Sequence, residues 1–262
     1  MSERWELLAQ SISLEKRRIP NPEGAEEPRD PKYSIPLSEF FTLAVSVDCV
    51  VFGFDGSELK VLLIERGVEP YRHRWALPGD LVYPHENLEE SAKRVLHDLT
   101  GLDDIFMQQI KSFGDLDRHP LGRVITVAYI ALIRIERYDP KPMSWADRIQ
   151  WHPLTEARDL AFDHDSILEK AIEKLKVRVL REPLGFELLP DKFTLNELQK
   201  MYEVVLGESF DKGNFRKKIL GMNLLIDLNE SQKNVAHRPA RLYRFDPERY
   251  AALRERGFSF GL

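Results

Sequence analysis

The sequence predicts an α+β chain in two domains, the first alternating strands with helices and the second a small helical domain closed by a β-hairpin. Three observations carry this. The 262 residues exceed the roughly 100 to 200 of one ordinary domain. β-rich and capped helical segments alternate as far as a break at Pro183, Gly185 and Pro190. Beyond the break the pattern changes to helix, helix, strand, turn, strand. The expected divisions are an N-terminal extension over 1–36, a first domain over 37–182 and a second over 183–262.

Each element has its local reason. Residues 1–36 hold Pro20, Pro22, Pro28, Pro31 and Pro36 among many charges, with one amphipathic piece around Trp5, Leu7, Leu8 and Ile12; a flexible extension is expected there. Residues 42–52 carry Val45, Val47, Val50 and Val51, and Asp55-Gly56 then precedes a second apolar run over 59–64, which predicts a hairpin. Asn87 is placed to cap a helix over 88–100, with Glu90 completing a capping box and Gly101 suited to a left-handed stop. Strands are expected near 105–113 and 124–135, and a helix over about 166–180. In the second domain Thr194 and Glu197 open a helix that ends at Gly207. Asp211 caps a shorter helix whose core side is read as Phe215, Ile219 and Leu220, and 224–228 and 242–245 read as strands around a polar turn.

Composition narrows the class. A net charge of -5 argues against a chain that coats nucleic acid over its whole surface, while leaving room for a local basic face. The single cysteine, Cys49, lies inside an apolar run; it excludes a disulfide framework and a cysteine-built zinc site, and a reducing cytoplasm is expected. No segment resembles a signal peptide or approaches the roughly 20 apolar residues of a membrane span.

The stretch Leu77-Pro78-Gly79-Asp80 through Glu86, continued by Arg94-Val95-Leu96-His97-Asp98-Leu99-Thr100-Gly101-Leu102, resembles the Nudix box, G-x5-E-x7-R-E-U-x-E-E-x-G-U with U aliphatic. Glu86, Arg94, Leu96, Gly101 and Leu102 fall on the pattern in register, and Asp80 takes the place of its first glycine. The resemblance implies an α/β/α sandwich around a mixed sheet. In active members the helix glutamates hold divalent cations that bridge a pyrophosphate and activate water. Here their positions are Val95, Asp98 and Leu99, so no cofactor is expected, with magnesium on Glu86 and Asp98 only if residual hydrolysis persists. Glu86, Arg94 and Asp98 are equally readable as a structural network, with Arg94 one turn from both Glu90 and Asp98.

Residues 112–129, with Asp115, Asp117, Arg118, His119 and Arg123, are similar to the corresponding segment of the Nudix-related transcriptional regulators, and the likeness runs over roughly 40–262. It implies a domain that binds a small effector, either an ADP-ribose type of nucleotide or a pentose sugar. The candidate effector-binding residues are Arg66, Trp75, Asp80, Glu86, Arg94, Asp115, Asp117, Arg118, His119 and Arg123: rings that stack, carboxylates that pair with hydroxyls, and cations that hold an anion.

Residues 191–199, 214–219 and 238–245 match the winged helix-turn-helix of the same regulators, with His237 in place of the glycine of their usual Gly-Arg-Pro-Ala. Independently, an acidic chain concentrates Lys212, Arg216, Lys217, Lys218, Lys233, Arg238, Arg241 and Arg244 in one short stretch. Asn214 and Arg216 lie near the helix start, where base edges are read, and the lysines suit phosphates. The DNA-binding candidates are Lys212, Asn214, Arg216, Lys217, Lys218, Lys233, His237, Arg238 and Arg241. The resemblance implies a homodimer on a two-fold double-stranded operator, away from membranes. Two alternatives stay open, an active Nudix hydrolase of nucleoside diphosphate derivatives and a C-terminal module that joins proteins.

Overall fold

The computed structural model describes residues 42–233 and 238–262; the extension expected over 1–36 lies outside the described residues. Strand β1 (Ala44–Phe54) is the centre of the first sheet. It runs parallel to β6 (Val124–Arg134) from Ala44 opposite Val124 to Phe54 opposite Arg134. It is antiparallel to β2 (Leu59–Arg66) and to the short β4 (Gly79–Leu81). β2 in turn pairs with β3 (Trp75–Ala76) and β7 (Ala146–Pro153), while β5 (Met107–Phe113) closes the other side on β6. The sheet is therefore mixed, as the resemblance implies. The β1–β2 turn forms where expected: Asp55 Oδ1 accepts the amides of Ser57 and Glu58, each at 2.9 Å, and Gly56 supplies the φ of 93°.

The period of two along the strands divides the core into two layers. Val47, Cys49, Val51, Leu62, Ile64, Tyr129 and Ala131 face helix α1 (Leu88–Thr100), which lays Ala92, Val95, Leu96 and Leu99 on them. Val50, Phe52, Phe54, Val61, Leu63 and Ile130 face the other way, toward Ile167, Leu168, Ala171, Leu175 and Val179 of α2 (His164–Arg181). The sandwich is the consequence.

α1 begins and ends as its local signals require. Asn87 Oδ1 accepts the Glu90 amide at 2.9 Å, Glu90 reciprocates to the Asn87 amide at 3.0 Å, and Gly101 takes the left-handed φ of 69°. After α2 a 3-10 turn (Pro183–Leu188) leads into α3 (Leu195–Leu206), α4 (Lys212–Gly221), the antiparallel β8 (Leu225–Ser231) and β9 (Arg241–Phe245), and α5 (Pro247–Glu255). This is a winged helix with an added terminal helix that the sequence reading did not include.

The second apolar layer does not stop at the end of α2. Phe186, Phe193, Leu198, Met201, Tyr202, Phe215 and Ile219 continue the same cluster, so the winged helix is packed against α2 and the outer sheet face by shared core. Leu220, read as a core residue, is instead 46% exposed, because α4 turns only Phe215 and Ile219 inward.

Candidate functional site

Two residues break the apolar alternation of β1. Ser46 and Asp48 lie, by the strand period, on the face that α2 covers further along, and both line a cleft of about 600 Å³ including the part open to solvent. Asp48 fits there because Gly79 has no side chain: a Cβ on Gly79 would stand 2.0 Å from Asp48 Oδ1. The carboxylate is buried, which opposes its charge, yet His164 and then Arg118 outweigh burial and hold its pKa below the usual carboxylate value. His164 Nδ1 accepts the Leu77 amide at 2.9 Å, so its proton is assigned to Nε2, which faces Asp48 Oδ1 at 3.3 Å.

Arg118 joins two elements. Its Nη2 lies 3.4 Å from Asp48 Oδ2, and it forks onto Asp163 at the start of α2, with Nε to Oδ2 at 3.0 Å and Nη2 to Oδ1 at 2.7 Å. The neighbouring His119 stacks on Phe162 with ring centroids 5.1 Å apart; burial, then Arg118 and Arg66, lower its pKa. Across the cleft Arg66 lies over the rings of Trp145 at 4.8 Å and Phe162 at 4.9 Å, and its Nε donates to the Pro70 carbonyl at 2.7 Å. Burial lowers its pKa to about 10, against the pull of Asp80 and Asp48. Asp80 accepts the Leu81 amide at 2.7 Å and faces Trp145 Nε1 at 3.5 Å, and burial raises its pKa. The cleft thus combines aromatic faces, two buried cations and carboxylates, a set suited to a polar ring-bearing anion.

Of the ten effector candidates, Arg66, Asp80, Arg118 and His119 line this cleft. Trp75 instead packs edge-on against His152 with centroids 4.5 Å apart. Arg123 shapes the β5–β6 loop by donating to the carbonyls of Gly114 at 2.5 Å and Asp115 at 3.0 Å. Asp115 and Asp117 are exposed. Sequence reasoning passed over Asp48, Trp145, Phe162, Asp163 and His164. A carboxylate inside an apolar run was the available signal for Asp48; for Trp145 no local signal exists, since β7 reaches the cleft only by pairing with β2.

Glu86 and Arg94 form their own unit. Arg94 Nε meets Glu86 Oε1 at 2.5 Å and Nη2 meets Oε2 at 3.0 Å, Nη2 also donates to the Leu81 carbonyl at 2.9 Å, and the guanidinium covers Tyr83 at 3.9 Å. Hydrogen bonding from Arg94 lowers the Glu86 pKa. A divalent cation does not fit these residues. Val95 and Leu99 are fully buried against the sheet, both Glu86 oxygens serve Arg94, and Asp98, half exposed, faces Arg94 Nη1 at 3.7 Å.

The second domain carries an exposed cationic helix. On α4 the side chains of Lys212, Asn214, Arg216, Lys217 and Lys218 are exposed around the buried Phe215 and Ile219. Asp211 Oδ1 caps the helix by accepting the Asn214 amide at 2.9 Å. Arg216 Nη2 reaches Asn196 Oδ1 at 3.2 Å. Lys233 and Arg238 are exposed at the β8–β9 turn, and Arg241 Nη1 pairs with Asp227 at 2.8 Å. His237 lies outside the described residues.

Comparison with known proteins agrees with both halves. A model of the NUDIX domain matches residues 42–175, and one of the NrtR DNA-binding winged helix domain matches 185–245. The "ADPR responsive transcriptional repressor NtrR" of Acinetobacter baylyi is 35% identical over 227 residues, 85% of this chain and 88% of the relative. The chain belongs to the NrtR family of Nudix-related transcriptional regulators. Among solved structures, Shewanella oneidensis NrtR matches with a TM-score of 0.67 at 31% identity, covering 78% of this chain and 94% of that one. The same NrtR crystallised with a 27mer DNA matches with 0.67 at 30% identity, over 82% and 97%. A MutT/nudix family protein from Enterococcus faecalis matches with 0.66 at 27% identity, over 92% and 93%. The NrtR winged helix model covers both α4 and β9, so the cationic helix belongs to the part of the family fold described as DNA-binding.

Proposed function

We propose that this protein is a DNA-binding transcriptional regulator whose Nudix domain binds an ADP-ribose type of nucleotide and does not cleave it. The observation that carries this reading is the shared apolar core: it joins the cleft-forming sheet, through α2, to a winged helix whose α4 exposes a cluster of cations. Base contacts are assigned to Asn214 and Arg216, and phosphate contacts to Lys212, Lys217, Lys218, Lys233 and Arg238. The name of the Acinetobacter relative supports ADP-ribose as effector class. Arg66 and Arg118 in the cleft favour an anionic ligand, and a free pentose offers them none. The operator-binding form is a homodimer acting in the cytoplasm, since two recognition helices must meet two half-sites about one DNA turn apart.

Fluorescence anisotropy with DNA from upstream of the protein's own gene tests the reading. Specific binding should weaken steeply with salt and change on adding ADP-ribose, while ribose has no effect. Loss of sequence preference would favour a protein-joining module instead. ADP-ribose at 100 times its dissociation constant should stabilise the fold by about 2.7 kcal/mol. ADP-ribose turnover with magnesium or manganese that disappears in Asp98→Asn would establish the hydrolase in its place.

A further inference from the structure

Asp163 occupies the N-cap position of α2 but does not cap it. Four other helices among the described residues, α1, α3, α4 and α5, begin at an extended residue whose side chain accepts an amide of the first turn: Asn87, Thr194, Asp211 and Asp246. Asp163 has φ -95° and ψ 22°, makes no side-chain cap, and gives both carboxylate oxygens to Arg118. An Asp at this position ordinarily accepts the amide two or three residues on, here Asp165 or Ser166. Pairing with Arg118 and capping its own helix are mutually exclusive for the one carboxylate, and the structure shows the first.

Charge decides which of the carboxylates around Arg118 can yield. Arg66 and Arg118 are the cleft's cations, and Asp48, Asp80 and Asp163 stand against them. A diphosphate brought to Arg118 adds negative charge to a site that already holds three carboxylates, so one of its partners must leave. Asp48 sits in mid-strand, buried, and is also held by His164. Asp163 stands at a helix end with its side chain 17% exposed, against 5% for Asp48.

We propose that an anionic effector competes with Asp163 for Arg118, and that Asp163, once displaced, swings to cap α2. This rests on the proposed function and gives it a coupling element. α2 carries the change onward, because Ile167, Leu168, Ala171, Leu175 and Val179 share one core with Leu198, Met201 and Tyr202 of α3. Asp163 is a positioning residue in this scheme, and the ligand's preference for the displaced state is the source of the coupling.

Full-length protein with Asp163→Asn, Asp163→Ser and Asp163→Ala separates the two halves of the switch. Asn and Ser cap well without a charge, whereas Ala neither pairs nor caps. All three remove the negative charge that pairs with Arg118, so ADP-ribose measured by calorimetry should bind about fivefold or more tightly than to wild type. Asn and Ser alone should shift ligand-free DNA affinity to the value that wild type reaches with saturating ADP-ribose, leaving little further response. Ala should keep the wild-type ligand-free DNA affinity. The proposal is overturned if Asp163→Asn and Asp163→Ser keep the full wild-type response, or if Ala matches them on DNA. Wild type that binds ADP-ribose with no change in DNA affinity removes the functional reading and the switch together, whereas a normal wild-type response with unaltered variants removes the switch alone.

Discussion

Charges in the cleft and charges on α4 are handled in opposite ways. Asp48, Arg118 and His164 are buried and interlocked, and Arg66 is buried over the rings of Trp145 and Phe162, so they fix a shape and their interactions are little screened by salt. Lys212, Arg216, Lys217 and Lys218 stand in solvent, where each adds little stability and remains available to a polyanion. The lesson is that one acidic chain can hold a buried, interlocked charge cluster and an exposed cationic surface, separated by burial rather than by composition.

The largest effect should come from breaking the buried side of the comparison. Asp48→Ala leaves Arg118 without its mid-strand partner and should cost about 3–5 kcal/mol in urea unfolding, with little dependence on salt. The lowered pKa of Asp48 gives that loss a pH signature. Its contribution is complete above the unfolded value near 3.8 and is lost as pH falls through the lower folded value, so the gap between wild type and variant should narrow in acid. Val95→Glu, which restores a box carboxylate where the side chain is fully buried, should cost about 3 kcal/mol or more and produce no hydrolysis. A melting temperature equal to wild type, with turnover gained, would break the comparison.

On the exposed side the effects fall on binding instead. Arg216→Ala should relax base preference by about 1–3 kcal/mol, measured by anisotropy on the operator and on single-mismatch sites. Lys218→Ala should weaken all sequences alike and reduce the salt slope by about one. Equal effects of the two substitutions on specificity would remove the division of labour along α4.

What the sequence disclosed follows the same line between local and distant causes. The caps at Asn87 and Thr194 and the stops at Gly101 and Gly207 act within four residues, and all were legible. β7 was not, because its residues 146–153 include Asp147, Arg148, Gln150 and His152 and become a strand only by pairing with β2. α5 carried readable signals, Asp246 at the cap and Pro247 behind it, that were passed over after the last strand. In the cleft, Arg118 and His119 were legible through their flanking loop, whereas Asp163 reaches Arg118 from a helix start 45 residues on and His164 beside it reaches Asp48, both brought there only by the packing of α2. Trp75 drew notice for its ring, but its partner is His152 of β7, which no local pattern indicates.

The single hydrophobic cluster that threads from Val50 through Leu175 to Phe215 limits how such a protein can diversify. Recombination that exchanged the winged helix for an unrelated reader would strip α2 and the outer sheet face of their cover, exposing apolar surface that favours aggregation. The cleft-bearing sheet and the winged helix are therefore expected to vary as one piece.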